Sequence, residues 1–360
     1  MKPTLARAQV EIDVAALQRN ATAVARRTGV PLLPMIKADA YGLGAGQICR
    51  ALESLNPWGY GVATVAEGEE LRALGVTRPI VIFTPLLESQ LARARAAKLT
   101  PTLGFKSEIE AWQRGGGGAW HLSIDTGMNR AGIPWREIGD IGRLLERAPP
   151  EGAFTHFHSA ELDDGSIEVQ EKRFRDAIAS LPSRPRLLHT DNSAALARRG
   201  RSSWDLVRPG IFLYGVGSGR SAAIQPDPVV HLRAPIVEIR SLQAGDTVSY
   251  DATLKVERPS RIATLAVGYA DGYPRALSGA GSVLVGSTIA PIAGNVTMDM
   301  TMIDVTTVRC EVGDTVTLIG RSAGTLLTVE RVADDARMSP YELLTGLRSR
   351  VERIYTSASA

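Results

Sequence analysis

From about residue 30 to residue 215 the chain repeats one unit: a short apolar run of strand length, then a polar, amphipathic stretch of helical length. That alternation constrains the fold more than any other feature. Continuous apolar strands separated by helices pair in parallel, through right-handed crossovers. The strand-length runs are residues 32–36, 59–65, 79–84, 100–103, 120–124, 153–157, 186–189 and 206–208. Helical segments between them include 67–74, 89–97, 134–147, 167–181 and 193–199. Eight such units predict an α/β fold of the (β/α)8, TIM-barrel type. The rival, a doubly wound open sheet, carries GxGxxG after its first strand. Here the glycines run Gly42-x-Gly44-x-Gly46, and no GxxxxGK[ST] occurs.

The texture changes after about residue 220, where Pro226, Pro228 and Pro235 mark a boundary. Runs rich in valine, isoleucine and threonine follow at 234–240, 263–268, 281–285, 288–292, 298–305 and 315–319, with turn signals at Gly245-Asp246 and Gly313-Asp314. They predict a β-rich C-terminal domain, closed by one late helix over 340–353. Two domains are therefore expected, 1–225 and 226–360, which suits a chain of 360 residues. Residues 9–14 read as a strand and 15–27 as a helix ending at Gly29. This opening segment either covers the barrel or, through residues 1–14, packs with the second domain.

Composition excludes several classes. The net charge is +3, from 41 basic and 38 acidic residues, with no dense basic run, which argues against a nucleic-acid binder. Cys49 and Cys310 fit no zinc spacing, so no metal is expected. No apolar stretch approaches the ~20 residues a membrane span needs. Residues 1–7 carry no signal-peptide core, so the expectation is a cytoplasmic enzyme or binding protein acting on a small molecule.

Lys37 ends the first apolar run, and Tyr41 follows four residues later. Desolvation lowers the pKa of an ammonium group and frees the amine for a Schiff base with an aldehyde cofactor. A lysine snorkelling from a strand end is the plainer alternative. In a (β/α)8 barrel the active site lies at the C-terminal ends of the strands. Those ends here carry Lys37 and Tyr41, then Asp125 to Arg130, then His156 and His158, then His189 to Ser193, then Arg208 to Ile211. Phosphate sites on this fold use the last two loops, where Ser193 opens a helix and Gly210 admits a close backbone amide. Ser193 alone also reads as a helix cap, and His156 alone as a packed core histidine. Their placement around a single lysine favours a site.

The motifs Met35-Ile36-Lys37-Ala38-Asp39-Ala40-Tyr41-Gly42, Asp125-Thr126-Gly127-Met128-Asn129-Arg130, Thr155-His156-Phe157, Asn192-Ser193-Ala194 and Val207-Arg208-Pro209-Gly210-Ile211 occur in this order. Val248-Ser249-Tyr250-Asp251-Ala252-Thr253, Val267-Gly268-Tyr269-Ala270-Asp271-Gly272 and Val296-Thr297-Met298-Asp299 follow them. Together they resemble the fold-type III pyridoxal-phosphate alanine racemases, over essentially the whole chain. The resemblance implies pyridoxal 5'-phosphate as cofactor, with Lys37 as the Schiff-base lysine and one of two catalytic bases. Tyr250 is the other base, supplied by the partner chain of a head-to-tail homodimer. Two bases on opposite sides of the substrate Cα suit racemisation. Tyr41, Ser193, Gly210, Ile211 and Tyr214 correspond to the phosphate site, with Asn192 beside it. Arg208 corresponds to the arginine facing the pyridine nitrogen, and His156 to the histidine between the ring and Arg208. Arg130 corresponds to the arginine near the substrate carboxylate. Met298 and Tyr269 of a neighbouring chain narrow the pocket. D-alanine supply for a cell wall is the implied role.

Two departures stand out. Ser123 occupies the place of a lysine that is carbamylated in many members, which leaves Arg130 without an orienting charge unless an anion such as chloride substitutes. Ser349 replaces a tyrosine near the Lys37–Tyr41 end, which implies that Tyr41 or Tyr250 is held less tightly and that the pocket is roomier. His158 and Glu161 also differ from the family pattern, and His158 is expected at the surface or behind the site. A serine or broad-specificity racemase, an amino-acid decarboxylase and a non-catalytic pyridoxal-phosphate binding protein are the competing readings.

Overall fold

Asp13 ends one element and starts the next. Its carboxylate accepts a hydrogen bond from Ala16 N at 2.8 Å, capping the helix Val14–Thr28. Gly29, at φ 69°, closes that helix, and its N–H bonds back to Ala25 O. The helix buries Ala16, Leu17, Ala21 and Val24 along one face. A computed structural model describes residues 5–219 and 222–357, so the first four residues of the N-terminal leader reading lie outside the described residues.

The first sheet is the barrel. Strands Tyr60–Val62, Ile80–Ile82, Thr100–Leu103, His121–Asp125, Gly152–Phe154 and Leu187–His189 pair in that order, all parallel. Ile133–Pro134 adds a short parallel arm to His121–Asp125. The first and eighth expected strands differ from expectation. They join the ring through single bridges, Met35 opposite Gly61, Leu32 opposite Val207 and Asn192 opposite Arg208. Hydrogen bonds from Leu33 N to Val207 O, from Met35 N to Pro209 O and from Gly61 N to Pro34 O, each 2.8 Å, close it. Pro31, Pro34 and Pro209 lack the N–H that a continuous ladder requires, so the two staves cannot form one.

The second sheet runs Thr288–Pro291, Ser282–Val285, Thr315–Ser322, Val230–Leu242, Gln9–Asp13, Glu352–Thr356. Ser260–Leu265, Thr301–Asp304 and Thr325–Leu327 attach to it. The opening strand Gln9–Asp13 thus lies inside this sheet, antiparallel to Val230–Leu242 and parallel to Glu352–Thr356. The late helix is shorter than expected. It covers Pro340–Thr345, and residues 352–356 are strand, because pairing with Gln9–Asp13 satisfies their backbone better than an extended helix would. Residues 134–147 likewise split into a 3-10 turn, Trp135–Ile141, and a helix, Gly142–Arg147.

Candidate active site

The backbone after Lys37 takes an unusual path. Ala38, Asp39, Ala40 and Tyr41 have φ of 52°, 52°, 54° and 59°, a full left-handed turn built without glycine. Each such residue costs roughly 1–2 kcal/mol, so the turn needs external support. Glu67 supplies part of it. Its carboxylate accepts from Ala38 N at 2.8 Å, Ala63 N at 2.7 Å and Thr64 N at 3.1 Å, while capping the helix Val65–Ala73. Asp39 Oδ1 accepts from Ala45 N at 2.7 Å. From the C-terminal segment, Arg353 donates twice to Gly42 O, at 3.0 and 3.1 Å, and the Tyr355 hydroxyl donates to Leu43 O at 2.9 Å. A Cβ on Gly42 would meet Leu344 O at 2.6 Å, and one on Gly44 would collide with the Tyr355 hydroxyl. These glycines therefore admit the C-terminal segment.

The turn aims Lys37 and Tyr41 into a cavity of about 330 Å³. Met35, Phe83, Arg130, Phe154, His156, Asn192, Ser193, Arg208, Gly210, Ile211 and Tyr341 complete its wall. An adjoining space of about 340 Å³ shares Lys37, Phe83, Arg130, Phe154 and His156 and adds Ser123, Asp125 and Met128. A wider groove of about 620 Å³, beside Arg19, His231 and Arg321, contains none of the expected site residues. Burial lowers the Lys37 pKa, the positive charge of Arg130 lowers it further, and Glu67 opposes both.

Arg208 forms the floor. It is buried, and both terminal nitrogens are fully committed. Nη1 donates to His189 Nδ1 at 2.8 Å and His189 O at 2.7 Å; Nη2 donates to Thr155 O at 2.8 Å and Thr190 O at 3.0 Å. A guanidinium has five N–H donors, so Nε–H is the one without a partner among the described residues. The rings of Phe154 and Phe83 lie 5.2 and 5.7 Å from the guanidinium carbon. Burial lowers the Arg208 pKa to about 10, with Asp191 opposing, so it stays protonated at neutral pH. Because Arg208 donates to His189 Nδ1, that ring carries its proton on Nε2 and donates it to His121 Nδ1 at 2.9 Å. Burial together with Arg208 lowers the pKa of both histidines, that of His121 to about 3, and keeps both neutral.

His156 is neutral for the same reason. Burial first, then Arg208, Arg130 and Lys37, bring its pKa down to about 3. Gln170 ties its loop to the Asp125–Arg130 loop, donating to His156 O at 3.1 Å and Thr126 Oγ1 at 3.2 Å. At the opposite end, Ser193 Oγ accepts from Gly210 N at 2.8 Å and Phe212 N at 3.3 Å, which leaves its own hydrogen to donate into the cavity. Asn192 is partly occupied elsewhere: its Oδ1 caps the following helix through Ala195 N.

Nine of the expected residues thus surround one cavity: Lys37, Tyr41, Arg130, His156, Asn192, Ser193, Arg208, Gly210 and Ile211. Tyr214 sits behind the wall. Its hydroxyl donates to Met35 O at 2.8 Å, and its ring packs on Tyr41 with centroids 4.8 Å apart. Tyr250, Tyr269 and Met298 lie outside the cavity, 70%, 41% and 53% exposed. Among the described residues, no carboxylate pairs with Arg130, and Ser123 is buried close by in the adjoining space. His158 is exposed and bonds Ser159 Oγ at 2.7 Å. Sequence reasoning missed Glu67, His121, Gln170 and Tyr341 and gave His189 no role. Thr64-x-x-Glu67 is a capping-box signature that marks Glu67; nothing local marks the others.

Residues 12–218 match the family model for the alanine racemase N-terminal domain, and 229–355 the model for its C-terminal domain. The chain is 38% identical to an alanine racemase of Deinococcus radiodurans, over 97% of this chain and 99% of that one. It is 36% identical to an alanine racemase of Geobacter sulfurreducens, over 99% and 98% of the two chains. The crystal structure of alanine racemase from E. faecalis superposes with a TM-score of 0.91 at 30% identity, covering 97% of this chain and 98% of that one. That of the Bartonella henselae enzyme, with covalently bound pyridoxal phosphate, also gives 0.91 at 30% identity, over 98% and 100%.

Proposed function

The chain belongs to the alanine racemase family, and on that premise we propose that it interconverts L- and D-alanine with pyridoxal 5'-phosphate, using Lys37 and Tyr250 as its two bases. The observation that supports this most is the convergence of Lys37, Ser193, Gly210 and Arg208 on one cavity. The side chains fit the cofactor. Lys37 has a lowered pKa at one wall, and among the described residues the Ser193 hydroxyl donates to no partner and Arg208 keeps one unused donor at the floor.

When bound, pyridoxal phosphate supplies an electron sink that acidifies the substrate Cα–H. Lys37, as the free amine, takes or returns a proton at Nζ on one face. Tyr250 of the partner subunit serves the other face through its phenol oxygen. Arg208 stays protonated and offers only donors, so it orients the ring without giving up a proton. Neutral His156 leaves the charge beside it to Arg208 and Arg130. Arg130 holds the substrate carboxylate, and Met298 and Tyr269 of the partner subunit limit side-chain size. Tyr41, Ser193, Gly210 and Ile211 hold the phosphate, with Tyr214 supporting Tyr41 and Asn192 alongside.

This assigns cofactor binding to residues 1–225, and the second base and dimer contacts to 226–360. The strand Gln9–Asp13 belongs structurally with the latter. The enzyme works as a cytoplasmic homodimer supplying D-alanine for peptidoglycan; among the described residues no helix is long and apolar enough to cross a membrane.

The test is incubation with pyridoxal phosphate and a panel of L-amino acids in deuterated water, reading chirality and α-deuterium. Labelled D-alanine far ahead of all others is expected. Comparable D-serine favours the serine or broad-specificity reading, with Ser123, which lines the adjoining space, as the candidate determinant. No exchange despite bound cofactor overturns the enzyme reading in favour of a binding protein.

A further inference from the structure

Tyr41 stands at the end of a turn that its own backbone disfavours, so its ring depends on its neighbours. Two aromatic rings flank it. Tyr214, from the barrel, lies at 4.8 Å with a 38° tilt; Tyr341, from the helix Pro340–Thr345, lies at 6.0 Å with a 42° tilt. Tyr341 also lines the same cavity as Tyr41, Ser193 and Gly210. Ser349 does not line it and is exposed.

The helix that carries Tyr341 is firmly seated. Ser339 Oγ accepts from Tyr341 N at 3.1 Å, Glu342 reaches back to Ser339 N at 3.0 Å, and Leu343 and Leu344 are buried. Its Leu344 carbonyl rests directly on Gly42, immediately after Tyr41. Among the described residues the hydroxyls of Tyr41 and Tyr341 have no hydrogen-bond partner, so ring packing is the contact between them.

We propose that Tyr341 is a positioning residue for the phosphate end of the cofactor site, its ring packing on Tyr41 and fixing that ring's orientation. The inference rests on the reading of this cavity as the pyridoxal-phosphate site. Aromatic pairs contribute about 0.5–1.5 kcal/mol beyond area burial, or about 2- to 10-fold in binding.

The experiment strips the cofactor from wild type, Tyr341→Ala, Tyr341→Phe, Tyr41→Ala and the Ala/Ala double variant. Each is titrated by absorbance with pyridoxal phosphate and with phosphate-free pyridoxal. Tyr341→Ala should weaken pyridoxal phosphate about 3- to 10-fold and leave pyridoxal unchanged. Tyr341→Phe should restore wild-type affinity. The double variant should bind no more weakly than Tyr41→Ala, because Tyr341 acts through Tyr41. Tyr341→Leu stands in if the alanine variant does not fold. Unchanged affinity in Tyr341→Ala, an equal loss for both aldehydes, or a phenylalanine variant as weak as alanine would each overturn the inference. Wild type that fails to bind pyridoxal phosphate would overturn the cofactor reading itself, a separate and recognisable result.

Discussion

The floor of the cavity and its substrate side are built on opposite terms. At the floor, Arg208 is buried, four of its N–H groups are bonded, and the chain of donors continues through His189 to His121. On the substrate side, Arg130 has no ion-pair partner among the described residues, and Tyr250, Tyr269 and Met298 are exposed on another part of the surface. One polypeptide lines the cavity with Lys37, Arg130 and Arg208. In the proposed function, Tyr250, Tyr269 and Met298 reach that cavity from a second copy, so activity there depends on assembly while the barrel floor is preorganised.

The largest expected effect tests the cofactor half at its reactive atom. Lys37→Ala should lose both covalent cofactor attachment and a general base, lowering racemisation by at least about 10⁴-fold, read from D-alanine formation and the cofactor absorbance. Tyr250→Phe tests the other half. Activity should fall about 10²- to 10⁴-fold while cofactor affinity is unchanged. Mixing the two inactive variants should recover about a quarter of wild-type activity, because half the dimers are mixed and each has one intact shared site. No recovery would mean that the site is not shared, and the comparison would break.

The next tests concern how rigid the floor is. Arg208→Lys keeps the charge but loses the planar fork, and three ammonium donors in place of four bonded guanidinium N–H groups strand at least one carbonyl or imidazole acceptor. A stability loss of about 2–4 kcal/mol is expected, measured by urea unfolding of the cofactor-free protein. The histidines predict a pH signature. Burial and nearby cations lower the folded pKa of His121 and His156 to about 3, so between about pH 6.5 and 3 the unfolded chain binds protons that the folded chain excludes. Stability from each is therefore full above pH 6.5 and falls with pH below it, by about 1.4 kcal/mol per pH unit per histidine. His121→Asn should flatten the urea-midpoint slope between pH 7 and 5; an unchanged slope would show that the histidine already titrates like an exposed one. The smallest effect is expected at Glu67. Glu67→Gln keeps the shape but removes the charge that three backbone N–H groups share, which should cost about 1–2 kcal/mol and leave the left-handed turn less well held.

Much of the architecture was legible because it depends on local pattern. The alternation after residue 30 located the six laddered barrel strands, and Gly29 closes the first helix at the position the sequence predicts, while Asp13 caps it two residues before the expected start. The errors have long-range causes. Prolines at 31, 34 and 209 reduced two expected strands to bridges. The late helix stopped at Thr345 because residues 352–356 found a partner more than three hundred positions away. Gly42 and Gly44 read only as part of a glycine run that matches no nucleotide-binding motif; their use, making room for Leu344 and Tyr355, depends on residues about three hundred positions away. Ser349 read as an opening in the pocket, but a ring from eight residues earlier stands beside Tyr41.

The sequence by itself determined the periodicities, the caps and the identity of the polar groups at the strand ends, because each depends on residues a few positions apart. It also carried the family, since spaced motifs survive in one dimension. Only the tertiary structure decided which donors are used up and which remain. The Nε–H of Arg208 left without a partner among the described residues, the neutral state of His156 and the packing of Tyr41 against Tyr341 are outcomes of burial and of contacts between distant segments. A side chain's protonation and its spare hydrogen bonds are set by what surrounds it in space, and that environment has no local signature in the chain.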